Sequence, residues 1–224
     1  MFKTALMVAA LEALVEANST PIYGTYPGYT AGKGTTGIEV DLFFDYLCSA
    51  CQAENPVINE LRTTEWKGMD GTYEDLVTFR YTPFPLPYHT HAYQVNQLVP
   101  YFMNMCIADS TKCFSDDYRN FAFDQQSTIL SMKDTSKDDF ITYWSKAVAT
   151  QLGVDASAIE ASYSDSSRLT DMSLRDMWKY AAARGVYGTP SVFINGVAVD
   201  NVPFNVLGWK RLLNQVYNSQ FSPN

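Results

Sequence analysis

The sequence predicts an α/β fold in which a strand–helix–strand unit is followed by a long helical segment before the sheet is completed. Three observations predict it. Residues 38–44 and 76–81 are short apolar, β-branched and aromatic runs that flank a helical pattern at 51–64, the arrangement of a βαβ unit with a right-handed crossover. Residues 90–183 carry almost no strand signal and repeat apolar side chains at helical spacing. Residues 191–194 and 197–199 then flank Asn195-Gly196, a two-residue hairpin signal.

Taken in order, the chain opens with Met1-Phe2-Lys3 and a short apolar stretch to Val15, followed by Glu16-Ala17. Residues 1–17 suit a secretory signal peptide; Glu12 inside the apolar stretch suits instead a short amphipathic helix. Residues 18–37 are glycine-rich and read as a lead-in arm, with Ile22-Tyr23 expected to add an edge strand. Residues 38–44 are almost continuously apolar, as in a strand buried on both faces. The helix at 51–64 contains Pro56, and interior proline removes a helical hydrogen bond and bends the axis. In the helical segment Ala92, Val95, Leu98, Val99 and Phe102 share a face, as do Phe140, Trp144, Val148 and Leu152, and Leu174, Met177, Trp178 and Ala181. Asp155 and Ser173 are expected helix starts, and Gly153 and Gly185 expected stops. A last helix is expected at 205–217. The expected domains are a discontinuous one (38–89 and 186–224) and a helical insertion (90–185).

Hydrophobic residues make up 46% of the 224 and charged residues 18%, which is globular and too apolar for disorder. A net charge of −8 argues against nucleic acid as a partner, and no stretch has the length of a transmembrane helix.

The chemistry is concentrated in Cys48-Ser49-Ala50-Cys51, which follows the first strand and opens the first helix. There the first sulfur meets unpaired backbone N–H groups and the positive end of the helix dipole, which favour thiolate. The second thiol, a turn further in, can close a disulfide on the first. Cys48 is therefore the expected exposed nucleophile and Cys51 the buried resolving thiol. Zinc is the competing use of such a pair, but Cys106 and Cys113 are separated by six residues, too wide for a structural site. Those two are expected to close a disulfide, consistent with an oxidising compartment; the alternative is two ordinary thiols. His89 and His91 lack a nearby acidic or thiol partner in sequence, so no metal is expected.

With Gly188-Thr189-Pro190 before the third strand, Pro56 in the helix, Tyr81-Thr82-Pro83-Phe84-Pro85-Leu86-Pro87-Tyr88-His89 after the second strand, and Trp178 to Val186 leading back, the sequence resembles the thioredoxin superfamily, most closely its DsbA-like branch. The resemblance implies a thioredoxin-like fold with a helical domain inserted between the second and third core strands. It implies a cis-proline at Pro190 that, with Thr189, presents backbone to a substrate beside Cys48, and a structural His89 near the first inserted helix. It implies protein or peptide thiol clients, a redox partner and no organic cofactor beyond glutathione as a reductant. The Ser-Ala dipeptide lacks the imidazole of some relatives, so the Cys48 pKa is expected below that of a free thiol but short of the family's low extreme, in a moderate oxidant or isomerase. The position where many relatives bury a proton-relaying acid is Leu42; Asp41 is a weak candidate for that role, and Glu39 shares its parity. Two other functions compete: glutathione-dependent transfer or isomerisation on the same scaffold, against which the intact cysteine pair counts, and a chaperone-like binding module without redox chemistry.

Overall fold

The computed structural model describes residues 22–221; the signal-or-helix reading of residues 1–17 lies outside them. A five-stranded sheet is built from β1 (Tyr29–Ala31), β2 (Ile38–Phe44), β3 (Val77–Pro83), β4 (Ser191–Ile194) and β5 (Val197–Ala198), in the order β1-β3-β2-β4-β5. β2 and β3 are parallel, with Ile38 opposite Val77 and Leu42 opposite Tyr81. The crossover between them carries α1 (Ser49–Thr63) and the single turn α2 (Tyr73–Leu76), which starts from a capping box between Thr72 and Asp75. β4 runs antiparallel to β2, and β5 returns against it through Asn195 and Gly196, whose φ values are 49° and 80°. Two successive positive φ angles make the twist-compatible hairpin turn.

The edge strand is β1, not Ile22-Tyr23. Ile22 is fully exposed; Tyr26 bonds Thr82 of β3 through its hydroxyl, but strand pairing with β3 begins at Tyr29. A Cβ on Gly28 would lie 2.0 Å from the Tyr81 carbonyl oxygen, so glycine is what permits the approach. The next residue, Tyr29, stacks on Tyr81 with ring centroids 4.8 Å apart.

Between β3 and β4 run α3 (Ala92–Ala108), α4 (Ser115–Asp124), α5 (Gln126–Ser131), α6 (Lys137–Leu152), α7 (Ala156–Ser162) and α8 (Leu169–Ala183); α9 (Val206–Phe221) follows the hairpin. Phe102, Tyr118, Phe140 and Trp144 are fully buried in the inserted helices, where Trp144 Nε1 donates to Tyr118 Oη at 3.1 Å. Asp155 caps α7, and Gly153 ends α6 with φ 67°. α8, however, starts a turn before Ser173, from Arg168 at φ 51°. Its first turn escapes the apolar periodicity because Leu169 and Met172 are exposed.

Side-chain parity assigns the two sheet faces. Phe44 and Tyr81 lie on the side of α1 and α4, with Phe44 against Phe123 and the Arg62 guanidinium over the Tyr81 ring. Asp41 and Phe43 lie on the side of α8, against Arg184 and Tyr180. Both faces are therefore covered, which explains the nearly unbroken apolar run of β2. On the α1 side, fully buried Arg119 of α4 donates to Asn55 Oδ1 and Asn59 Oδ1, both at 2.7 Å, and pairs with Asp116. Arg62 joins through Asp116 at 2.6 Å and Glu74 at 2.8 Å.

Candidate active site

β2 ends at Phe44, and Asp45 begins the turn that delivers Cys48 to the helix. The Asp45 carbonyl accepts the Cys48 N–H at 3.0 Å, and its carboxylate accepts the Leu47 N–H at 3.0 Å. Cys48 then occupies the N-cap of α1, with φ −80° and ψ 124°. α1 thus begins at Ser49, two residues earlier than its apolar pattern, and the cysteine pair spans the first helical turn. Because β4 is antiparallel to β2, the segment entering β4 reaches the same end of the sheet. It brings Thr189-Pro190, joined by a cis peptide bond, beside the sulfur. As a thiol, Cys48 Sγ donates to the Thr189 carbonyl oxygen at 3.3 Å.

The electrostatics separate the two thiols. Cys48 is lowered to about 5. The Cys51 thiol donating to its sulfur is the largest cause; burial opposes it, and the Thr189 hydroxyl and the Cys51 and Ala50 N–H groups add to the lowering. Cys51 moves the other way: burial, and then the neighbouring Cys48 sulfur, push it well above the ordinary thiol range. One sulfur is thus poised as thiolate and its neighbour as proton-bearing thiol, the division of labour that thiol–disulfide exchange needs.

Cys48 is less open than its place at the helix mouth suggests. It is only 8% exposed, against 0% for Cys51, because the Thr189-Pro190 loop lies over it. Asp41 and Glu39 stand on the α8 face, away from α1. Asp41 accepts from Arg184 at 2.8 Å and Glu39 pairs with Arg80, so neither reaches Cys51; strand parity places them there. Cys106 and Cys113 are joined in a disulfide at the end of α3, beside a cleft of about 450 Å3 that Tyr29, Met103 and Asp116 also line. The two histidines diverge: His89 Nδ1 donates to Asp45 Oδ2 at 2.7 Å, while His91 stacks on Phe140 and donates from Nε2 to the Met132 carbonyl. Among the described residues no three His, Cys, Asp or Glu side chains gather as a metal would require.

Two residues that sequence reasoning passed over are central to the turn. Asp45 is fully buried, and its carboxylate also accepts the Leu86 N–H at 3.1 Å and Asn96 Nδ2 at 3.0 Å. Gln126 of α5 donates to the Tyr46 and Cys48 carbonyls. An aspartate three residues before a C-x-x-C, at a strand end, is a local turn signal; nothing local marks Gln126, whose partners lie about eighty residues away.

No protein-family model and no curated protein matches the chain. Solved structures do. A provisionally named protein-disulfide isomerase from Pseudomonas syringae aligns over 82% of this chain and 96% of its own, at 15% identity and a TM-score of 0.62. The thiol-disulfide exchange protein alpha-DsbA2 from Wolbachia pipientis aligns over 85% and 86%, at 15% identity and 0.54. MdbA, a thiol-disulfide oxidoreductase from Actinomyces oris, aligns over 78% and 77%, at 21% identity and 0.52. The fold is that of thioredoxin-like proteins with the helical insertion of the DsbA-like group.

Proposed function

We propose that this chain is a thiol–disulfide oxidoreductase acting through Cys48 and Cys51. The observation that carries the reading is the Cys48 sulfur at the N-cap of α1, lowered to about 5, with the Thr189-Pro190 segment beside it. A client thiolate attacks Cys48 of the oxidised pair; the Cys48–Cys51 bond breaks, and Cys51 leaves and takes a proton. A second client thiolate then attacks the client sulfur of the mixed disulfide. It releases Cys48 as thiolate and leaves the client with a disulfide and this protein with two electrons, which a separate redox partner must remove. Cys48 is the better leaving group because its thiolate is stabilised, so the pair favours electron flow from client to protein. This corresponds to a moderate oxidant of protein or peptide thiols that needs no organic cofactor. The Cys106–Cys113 disulfide supports an oxidising compartment.

The test is oxidative refolding of a reduced client. Cys48→Ser is expected to abolish turnover. Offered a disulfide-bonded client, Cys51→Ser attacks it through the Cys48 thiolate, expels one client sulfur as thiolate and, with no second thiol to resolve the product, is expected to accumulate client-linked species that disappear on reduction. Normal turnover by either variant would contradict the mechanism.

A further inference from the structure

A cysteine at an N-cap leaves the helix without its usual side-chain cap, and Cys48 makes none. The first turn of α1 must be held by something else, and the helical insertion supplies it. Gln126, the first residue of α5, is 3% exposed, and its Nε2 lies 3.1 Å from the Tyr46 carbonyl oxygen and 3.1 Å from that of Cys48. These carbonyls flank Leu47, the last link between β2 and the cysteine. The Cys48 carbonyl also accepts the Gln52 N–H at 3.0 Å, the first rung of the helix.

We propose that Gln126 is a positioning residue for Cys48: its amide fixes the Tyr46 and Cys48 carbonyls, and so aims the N–H groups of the first helical turn at the sulfur. The peptide group is planar, so fixing the Cys48 carbonyl fixes the Ser49 N–H and the path of the residues after it. The Ala50 and Cys51 N–H groups on that path are two of the donors that favour the Cys48 thiolate. Gln126 is neutral, so its loss alters geometry without adding or removing a charge. The insertion then does more than cover the sheet; it sets how readily the nucleophile ionises. The proposal rests on the oxidoreductase reading above.

The experiment follows alkylation of the reduced protein against pH in three forms. Gln126→Met keeps the volume and removes the amide. Gln52→Ala removes another bond between α1 and the insertion, from Nε2 to the Phe123 carbonyl at 2.7 Å, without touching the Cys48 carbonyl. The Cys48 midpoint is expected to rise by about one pH unit in Gln126→Met, a roughly tenfold smaller thiolate fraction in acid, and to stay in place in Gln52→Ala. A wild-type midpoint in the ordinary thiol range would remove the oxidoreductase reading itself. A low wild-type midpoint that Gln126→Met leaves unchanged, or that Gln52→Ala raises equally, would overturn the role of Gln126 alone. Near-UV circular dichroism establishes that each variant is folded; if Gln126→Met is not, Gln126→Asn, whose amide is one methylene short, is read by the same criteria.

Discussion

Asp41, Leu42 and Asp45 lie within four residues of one another and have three unrelated fates, decided by which way each side chain leaves the chain. Leu42 enters the core beneath α1, Asp41 meets Arg184 beneath α8, and Asp45, past the strand, turns inward to bind Leu47, Leu86, His89 and Asn96. Asp41 is therefore a structural ion-pair carboxylate. Asp41→Asn is expected to lower stability by about 2 kcal/mol in urea unfolding, while the rate at which Cys51 resolves a mixed disulfide is unchanged. A slowed resolution step would restore Asp41 as a proton relay. The cysteine pair and Thr189-Pro190 were legible because each is a short local pattern whose residue types stand next to one another in sequence. The grip on Cys48 was not: Asp45 and Gln126 act through partners that only tertiary folding brings near.

At the scale of elements, α1 carries the chemistry at one end and a buried acid further along. Glu54 accepts from Trp209 Nε1 of α9 at 2.7 Å, and burial pushes it up from 4.5 to about 7, with that hydrogen bond acting the other way. A carboxyl raised by folding binds its proton more tightly in the native state, so its contribution is complete below about 4.5 and is lost as pH rises through about 7. Glu54→Gln keeps an acceptor for Trp209 and has no proton to lose. The difference in melting temperature, variant minus wild type, is expected to increase from pH 4.5 to 7 and level off above. A difference that does not change with pH would contradict a buried, titrating Glu54. Elements with a strong internal pattern, the nearly unbroken apolar run of β2 and the helical period of α6, were readable from sequence. The start of α8 was not, since an exposed first turn and a left-handed Arg168 leave no capping signature.

Across the whole molecule, Asp116 is the hinge of charge between insertion and sheet, facing Arg119 and Arg62 at once. Burial raises its pKa, but the two guanidinium groups outweigh burial and hold the carboxyl below its ordinary value. This contribution is present at neutral pH and is lost as pH falls through the acid range. Asp116→Asn leaves buried Arg119 without its carboxylate and is expected to cost about 3–5 kcal/mol in urea unfolding; a loss below about 1 kcal/mol would mean that Asn55, Asn59 and Tyr29 suffice to hold Arg119. That a strand–helix–strand unit is followed by a long helical segment and a closing hairpin was legible because hydrophobic period changes along the chain; α4 and α5 within that segment were not picked out. The charged joint between them was not, because its members come from α1, α2, α4 and β1.

The exchange chemistry requires a single ionised sulfur, and alkylation of the reduced wild-type protein against pH, with the modified peptide mapped, measures it most directly. One fast-reacting thiol is expected, at Cys48, with a midpoint near 5. A midpoint at about 8.5 or above, the range of a free cysteine, or first modification at Cys51, would contradict it.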